Sequence, residues 1–186
     1  MSLVLPFRDL HPVIDPTAYL AEHTSVIGDV TIGAGSSIWF GTVIRGDVMP
    51  IRIGAHTSIQ DNSVIHVTNG VNGTTVGSRV TVGHRVIRHA CDVEDDGLIG
   101  MGAIILDSAR IGSGSVIGAG ALVTPGTVIP PGSFVLGSPA RVKRAVEERE
   151  RGWIASSAAH YVELGAVYRA EARSRESAIA PAAPAR

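Results

Sequence analysis

The sequence predicts an all-β fold, a left-handed parallel β-helix of hexapeptide repeats, with a C-terminal α-helix behind it. Three observations predict it. Ile, Val or Leu recurs every six residues over most of the chain, glycine often follows that residue, and aromatic residues make up only 4% of the 186 residues. A period of six fits neither the 3.6-residue turn of an α-helix nor the alternation of a flat strand. It fits coils of short strands with a turn after each strand, and hexapeptide coils as a class are left-handed.

The repeat has twenty positions, and nineteen of them hold Ile, Val or Leu. The steps of six are interrupted by a three-residue insertion after Ile44, a five-residue insertion after Ile65 and one five-residue step after Arg88. We expect these side chains to point into the coil and to pack on their counterparts one coil away, about 18 residues along the chain. The positions are Ile14, Leu20, Val26, Ile32, Ile38, Ile44, Ile53, Ile59, Ile65, Val76, Val82, Arg88, Val93, Ile99, Ile105, Ile111, Ile117, Val123, Ile129 and Val135.

Arg88 is the one charged residue in this inward series. A charge that points into an apolar core is costly, so we expect the register to break near Arg88, where the five-residue step follows. Glycine follows many of the other inward residues, and we expect those turns to need tight or positive-φ backbone. These glycines are Gly33, Gly54, Gly77, Gly83, Gly100, Gly112 and Gly118.

The repeat divides the chain into three parts. Residues 1–137 are predicted to form the β-helix domain, because the inward series ends at Val135. Residues 138–175 are predicted to form a helix that packs on the β-helix. Residues 176–186 are rich in Ala and Pro and are predicted to be a disordered tail.

The helix is expected to run from about Arg141 to Ala172. Ser138 is a candidate N-cap, and Pro139 suits the first helical position. Oppositely charged side chains spaced four apart support a helix here: Lys143 and Glu147, Arg144 and Glu148, Glu147 and Arg151. Its apolar face is expected to lie along the β-helix and consists of Ile154, Ala158, Tyr161, Gly165 and Tyr168.

Composition predicts a cytoplasmic protein without a nucleic-acid or membrane partner. The formal net charge is −1, which gives no sign of binding to nucleic acid or an anionic membrane. Cys91 is the only cysteine, so there is no disulfide framework. No apolar run approaches the ~20 residues that span a bilayer, and the N-terminal residues lack the pattern of a secretory signal.

Two of the seven histidines fall in one column of the predicted β-helix. His66 follows the inward Ile65 and His89 follows position 88, so they are 23 residues apart, which is 18 plus the five-residue insertion. Neighbouring coils lie about 4.8 Å apart, so two outward imidazoles can share one metal ion. Two of seven histidines can also stack by chance, and spacing alone leaves open an ordinary pair of surface histidines.

Other polar residues fall into columns near this pair. Arg45 precedes His66 by 21 residues, which is 18 plus the three-residue insertion, and belongs to the same column. His84 lies on the preceding face of the triangle and cannot easily reach the same ion from its own chain, although a neighbouring subunit could supply it. Asp61 precedes His84 by 23 residues and stacks beneath it, with Gln60 beside it.

These residues resemble the γ-class carbonic anhydrases and their close bacterial relatives, over about residues 10–165. The histidine set with Arg-Gly-Asp and Gln-Asp is specific to that family, whereas the hexapeptides and the Gly-Ser-Pro-Ala end are shared with acyltransferases of the same fold. The matching strings are Arg45-Gly46-Asp47, Ile59-Gln60-Asp61-Asn62, Val64-Ile65-His66, Val82-Gly83-His84, His89-Ala90-Cys91, Ile99-Gly100-Met101-Gly102, Leu106-Asp107 and Leu136-Gly137-Ser138-Pro139-Ala140.

The resemblance implies reversible hydration of CO₂ to bicarbonate by a homotrimer with three metal sites, one at each subunit interface. His66 and His89 of one subunit and His84 of the next would bind Zn²⁺, with Fe²⁺ or Co²⁺ as alternatives.

The resemblance also implies roles for five other residues. Arg45 and Asp47 correspond to an intersubunit ion pair. Gln60 corresponds to the catalytic residue that orients the metal-bound water or hydroxide, and Asp61 to a supporting group near it. Tyr161 corresponds to a tyrosine of the C-terminal helix that borders the site.

Two departures from the best-studied members keep other functions open. Val48 stands where those members have a glutamate, and residues 67–73 lack the carboxylate that exports protons, so His160 would have to substitute. One alternative is therefore a metal-binding trimeric scaffold with little or no hydratase activity. The other is a hexapeptide acyltransferase that uses coenzyme A, one histidine as the base and no metal.

Overall fold

The computed structural model describes residues 1–179, with side chains up to residue 174. It confirms the predicted left-handed parallel β-helix, which has about seven turns, and the helix behind it. Of the predicted tail, residues 180–186 lie outside the described residues. The elements are β1 (Leu3–Leu5), β2 (Val13–Ile14), β3 (Tyr19–Leu20), β4 (Ser25–Ile32), β5 (Ser37–Ile38), β6 (Val43–Ile53), β7 (Ser58–Ile59), β8 (Val64–His66), β9 (Thr74–Val76), β10 (Thr81–Val82), β11 (Ile87–His89), β12 (Asp92–Val93), β13 (Leu98–Ile99), β14 (Ile104–Ile105), β15 (Arg110–Ile111), β16 (Val116–Ile117), β17 (Leu122–Val123), β18 (Val128–Ile129), β19 (Ser133–Leu136), β20 (Arg141–Ala145) and α1 (Glu148–Ile179).

The short strands stack on three faces of a triangular prism. On the first face β8, β11, β14 and β17 follow the first half of β6, and on the second face β9, β12, β15 and β18 follow its second half. The third face contains β3, β5, β7, β10, β13, β16 and β19. All these pairings are parallel, so equivalent residues of successive coils lie opposite each other, as Ile44 and Ile65 do.

The core is the column of inward side chains that the repeat predicts. All twenty positions of the series are buried except Ile14 and Leu20, which belong to the first coil and are half-buried. The buried Ile and Val side chains of successive coils form one cluster, and this burial of aliphatic surface stabilises the prism at roughly 25 cal/mol per Å².

The turns differ from the sequence expectation in one respect. None of the glycines directly after the inward residues has a positive φ; the left-handed residue comes three positions after the inward residue, as at Gly35, where φ is +63°. The expectation of a tight backbone is confirmed, because a Cβ at Gly54 would lie 2.6 Å from the carbonyl carbon of Gly77 in the next coil. These glycines are therefore required by the close approach of two backbones.

Arg88 corrects a second expectation, because the register does not break there. Arg88 lies opposite Ile65 in one coil and Ile105 in the next, and its side chain is fully buried. One guanidinium nitrogen donates to the carbonyl oxygen of Thr75 at 2.9 Å, whereas Nε and Nη1 have no partner among the described residues. Burial raises the pKa of the nearby Cys91 thiol, so this thiol is neutral at pH 7 and does not balance the charge. The core thus holds a poorly compensated cation.

The segment after the last coil corrects a third expectation. Residues Arg141–Ala145 are a strand that runs antiparallel to β19, so the prediction of a helix from Arg141 was wrong. Ser138 and Pro139 lie in the turn before this strand and do not begin the helix. Pairing with β20 gives the backbone of the last coil a partner at its open edge, which local helix propensity does not reveal.

Helix α1 begins at Glu148 and is anchored by Glu150. The Glu150 carboxylate accepts a hydrogen bond from the backbone N–H of Glu147 at 2.9 Å and a two-pronged contact from Arg144 at 3.0 and 3.1 Å. These bonds lower the pKa of Glu150 to about 2, with the Arg144 contact as the largest cause. The predicted Arg144–Glu148 pair is absent, and Glu148 instead accepts from Arg151 at 3.0 Å.

The predicted apolar face of α1 does lie along the prism. Ile154 and Ala158 are buried, and a Cβ on Gly165 would lie 3.2 Å from Cβ of Ser37 on the third face. The rings of Tyr161 and Tyr168 pack edge-on against Trp39 of the third face, with centroids 5.6 and 5.3 Å away, an arrangement that aromatic quadrupoles favour. Within residues 1–179 no helix is long and apolar enough to cross a lipid bilayer.

We predict that Arg88→Leu stabilises the protein. The substitution removes a buried cation that lacks a counter-ion and restores an aliphatic side chain between Ile65 and Ile105. Replacing buried charged groups by apolar ones is often stabilising by 1–4 kcal/mol, and we expect the free energy of unfolding to rise by about 1 kcal/mol or more in urea denaturation. Ile105→Leu is the control and should change it by less than about 1.5 kcal/mol. A clear loss of stability in Arg88→Leu would contradict this reading of the core.

Candidate functional site

His66 and His89 meet on the first face, as their spacing predicts. The two residues are direct partners in the pairing of β8 with β11. Their ring centroids are 5.1 Å apart, and His66 Nδ1 lies 3.1 Å from His89 Nε2. Each side chain is partly exposed, at 20% and 34%, so the facing nitrogens lie at the surface of the prism.

The far nitrogen of each ring faces a carboxylate. His66 Nε2 lies 3.1 Å from Asp47 Oδ1, and His89 Nδ1 lies 2.7 Å from Asp107 Oδ1. An ionised carboxylate only accepts hydrogen bonds, so in the neutral imidazoles these far nitrogens carry the protons. The facing nitrogens, His66 Nδ1 and His89 Nε2, are then both lone-pair donors.

This donor set fits a metal ion. Two lone pairs 3.1 Å apart repel unless a cation lies between them. Two imidazole nitrogens at 2.0–2.1 Å from one tetrahedral ion are about 3.3–3.4 Å apart, close to the observed separation. Metal-binding histidines also usually donate their other N–H to a carboxylate or carbonyl, as both rings do here.

The two carboxylates are ionised at neutral pH. Although burial raises the pKa of Asp47, hydrogen bonds from His66 and Arg45 outweigh burial and bring this pKa below its usual value of 3.8. Hydrogen bonds from Thr68 and His89 likewise lower the pKa of Asp107. Arg45 lies in the His66 column as predicted and bonds Asp47 of its own chain, with 43% of its side chain exposed. An intersubunit Arg45–Asp47 pair stays a prediction.

His84 lies apart from this pair, on the loop after β10 of the third face. Its Nδ1 lies 2.7 Å from Asp61 Oδ2, which confirms the predicted stacking of His84 on Asp61. Among residues 1–174 no group of three His, Cys, Asp or Glu side chains lies close enough together to hold a metal ion in one chain.

Gln60 and Tyr161 flank the His84 side of the site. Gln60 is buried, at 5% exposure, and its side chain lies near the Tyr161 hydroxyl. Burial is the main cause that raises the pKa of Tyr161, and the negative charge of nearby Asp61 adds to it. The ring of His160 is exposed and lies 5.2 Å from that of Tyr161.

A row of outward apolar side chains runs beside the His66–His89 column. The first three members lie two positions before Arg45, His66 and His89 on the same strands. The last two are their strand-pairing partners in the next two coils, so the row is continuous. Val64 and Ile87 are 39% and 41% exposed. The row consists of Val43, Val64, Ile87, Ile104 and Leu122.

Two residues of this site, Thr68 and Asp107, have no role predicted from the sequence, although Asp107 lies in one of the strings shared with the family. Thr68 donates a hydrogen bond to Asp107 Oδ2 at 2.6 Å, and Asp107 in turn holds His89. Asp107 lies 18 residues after His89, so the coil length is a signal that could have found it. Thr68 lies in the five-residue insertion, where the repeat gives no register.

We predict that the Tyr161 phenol ionises above its ordinary pKa of 10.0, because burial and Asp61 disfavour the phenolate. Ultraviolet titration of the folded wild type should show the ionisation of Tyr161 above pH 10.0, and this step should be missing in Tyr161→Phe. Tyr168→Phe, on the same face of α1, is the control and should retain that step. A Tyr161 step at or below the ordinary value would show that the hydroxyl is not held as described.

Comparison with known proteins gives concordant results. The chain is 47% identical over 175 residues to a carbonic anhydrase of Geobacillus kaustophilus, a match that covers 94% of this chain and 96% of that one. It is 44% identical over 168 residues to gamma carbonic anhydrase 1, mitochondrial, of Arabidopsis thaliana, covering 88% of this chain and 61% of the plant protein. The chain thus spans about three-fifths of the plant relative's length.

Solved structures give the same fold. The crystal structure of a candidate acetyltransferase from Bacillus cereus matches with a TM-score of 0.89 and 42% identity, covering 91% of this chain and 98% of that one. No protein-family model matches the chain. Identity above 40% over nearly the full length of the bacterial relative shows the relationship, and the chain belongs to the γ-class carbonic anhydrase family.

Proposed function

We propose that this chain is a metal-dependent carbonic anhydrase, a lyase that hydrates CO₂ reversibly to bicarbonate, at sites completed between the subunits of a homotrimer. Relatives named carbonic anhydrase support the reaction. The observation that carries the metal is the facing of two lone-pair nitrogens 3.1 Å apart, each backed by a carboxylate. The cytoplasmic location stays a prediction from the sequence.

The arrangement of the histidines supports a shared site. Zinc needs three protein ligands and an open position in catalytic sites, and His66 and His89 supply two. His84 is the third ligand that the family resemblance implies, and it lies on another face of the prism with its Nδ1 2.7 Å from Asp61 Oδ2. Its Nε2 is therefore the nitrogen left to bind a metal ion, and a second copy of the chain is needed to bring it to the pair.

The outward apolar row supports the contact between copies. Val43, Val64, Ile87, Ile104 and Leu122 form a continuous apolar strip on a face that is exposed in the single chain. Such strips mark interaction surfaces, and this one runs directly beside the histidine pair. Because the binding surfaces on the two partners differ, the contact is heterologous, and the proposed ring has three chains, as the family resemblance implies.

The chain's own residues prepare the site for hydration chemistry. Zinc held by three neutral imidazoles supplies an open position and lowers the pKa of a bound water to about 7, and Fe²⁺ or Co²⁺ are alternatives. Asp47, Asp61 and Asp107 keep the protons of the three rings on the far nitrogens. Gln60 is held by burial beside Tyr161, so its amide would orient the water and CO₂ at the site.

The acyltransferase alternative has one supporting observation, the candidate acetyltransferase at 42% identity. The two proteins share a fold. An acyltransferase that uses coenzyme A and one histidine as the base does not, however, require the facing nitrogens of His66 and His89. The scaffold alternative keeps the metal but no turnover. Both alternatives are outcomes of the experiment that follows.

We predict about one Zn²⁺ per chain in protein purified without chelator, with CO₂ hydration that Gln60→Ala lowers about 10–100-fold. The Gln60 hydrogen bond to a developing charge is worth about 1.5–3 kcal/mol, which corresponds to that factor. Stopped-flow hydration assays and metal analysis measure both quantities. Thr81→Val is the matched control, because it lies on the same face and removes a hydroxyl without a partner among the described residues.

Three outcomes decide between the functions. Equal metal content with reduced hydration in Gln60→Ala supports the proposal. A metal-loaded wild type without hydration supports the scaffold. A metal-free wild type that transfers acetyl groups from acetyl-coenzyme A supports the acyltransferase.

We also predict that two inactive variants restore each other. His84→Ala and His89→Ala trimers should each lack complete sites. In a mixed ring, one boundary joins intact His66 and His89 of the first variant to intact His84 of the second. Random assembly makes about three-quarters of the trimers mixed, with one restored site in three, so roughly a quarter of all sites should regain metal and activity.

The control for this experiment is a mixture of His66→Ala and His89→Ala. Both variants lack a ligand of the same half-site, so no boundary in their mixed trimers is complete. Recovery in the first mixture alone supports the shared site. No recovery in either mixture would mean that all the ligands come from one chain.

A further inference from the structure

We propose that Asp107, held in place by Thr68, is the positioning residue for His89: it fixes the ring's orientation and keeps the proton on Nδ1, so that Nε2 is always the nitrogen presented at the site. The inference deepens the proposed function, since it rests on His89 being a metal ligand there. Neither Thr68 nor Asp107 touches the facing nitrogens directly, so both act through His89.

The protons in this cluster can be assigned from its contacts. Thr68 Oγ1 lies 2.6 Å from Asp107 Oδ2 and 3.3 Å from His89 Nδ1. The hydroxyl has one proton, and the short contact to an ionised carboxylate uses it, so Thr68 can only accept from His89. Asp107 Oδ1, 2.7 Å from His89 Nδ1, also only accepts. Both contacts therefore require the proton on Nδ1, and the lone pair lies on Nε2.

Both oxygens of the Asp107 carboxylate are engaged, one by each partner. A carboxylate fixed at both ends cannot rotate away from the imidazole. Free histidine exchanges its proton between the two nitrogens, and a fixed acceptor at Nδ1 removes that freedom. The free-energy cost of restricting the His89 ring to one tautomer and one orientation is then part of folding and does not weaken metal binding.

The backbone places the three residues on successive parts of the coil. His89 ends β11, and Asp107 lies in the turn after β14, two residues beyond Ile105. Thr68 belongs to the loop after β8, where it pairs with Asn72 and its carbonyl oxygen accepts from the N–H of Val71 at 3.2 Å. The five-residue insertion thus supplies the turn that brings the Thr68 hydroxyl to Asp107.

Asp47 and Asp107 differ in what holds them. Asp47 is bonded by Arg45, so part of its negative charge is balanced by a cation. Asp107 is held by a neutral hydroxyl, and the salt bridges of residues 1–174 give it no Lys or Arg partner. Its charge therefore acts mainly on the His89 ring, which makes Nε2 a stronger ligand.

The variants Asp107→Asn, Thr68→Val and Thr68→Ser test this inference. An asparagine can turn its NH₂ group towards Nδ1, so Asp107→Asn permits the proton to move to Nε2. Thr68→Val removes the hydroxyl at nearly constant volume, and Thr68→Ser keeps it. The matched control is Asp92→Asn, because the Asp92 carboxylate is as exposed as that of Asp107, at 31% against 32%, and faces Arg110 instead of a histidine.

The first readout needs no metal. Long-range ¹H–¹⁵N spectra of the metal-free protein at pH 8 report which nitrogen of His89 carries the proton. We expect Nδ1–H in the wild type, in Thr68→Ser and in the control, and a mixture of tautomers in Asp107→Asn. Wild-type His89 protonated on Nε2 would overturn the inference.

The second readout is the dissociation constant of Co²⁺, measured by chelator competition and followed by the visible spectrum of the bound ion. Removing a carboxylate behind a ligand histidine typically costs 10–100-fold in affinity, and we expect that loss in Asp107→Asn and a smaller loss in Thr68→Val. Thr68→Ser should restore wild-type affinity. Unchanged affinity and spectrum in Asp107→Asn would overturn the inference, whereas a wild type that binds no metal but keeps Nδ1–H would overturn the proposed function and still support the positioning role.

Discussion

Hydrogen bonding between successive coils determines where both the core and the candidate site lie. Parallel pairing holds each coil in one register relative to the next, as at Ile44 and Ile65, so a residue type that recurs in the sequence becomes a column in space. The aliphatic columns form the core. The same pairing places His66 opposite His89 and Asp61 next to His84, so the functional groups need no separate scaffold.

Much of the fold and part of the site could be predicted, because the number of residues in each coil determines which side chains stack in one column. The spacing of 23 residues between His66 and His89 placed them together, and the structure confirms it. The rest depends on contacts that the period does not encode. β20 has a helix-like charge pattern but pairs with β19 across the end of the prism. Arg88 keeps the register because strand pairing outweighs the cost of its buried charge, and Thr68 lies in an insertion that has no register.

The single chain presents two groups of candidate metal ligands on different faces. One is the His66–His89 pair with its carboxylates, beside an exposed apolar row. The other is His84 with Asp61, next to Gln60 and Tyr161. The position of Tyr161 depends on the packing of α1 against Trp39. In the proposed ring of identical chains, the two groups would meet at every boundary, so the proposed activity would require assembly as well as folding.

Anomalous diffraction at the zinc edge from crystals of the metal-loaded protein is the decisive measurement for the shared site. We expect one metal peak at each boundary of a three-chain ring, within about 2.0–2.1 Å of nitrogens of His66 and His89 from one chain and of His84 from the next. A metal ion held by ligands of a single chain, or a ring whose boundaries hold no metal, would contradict it.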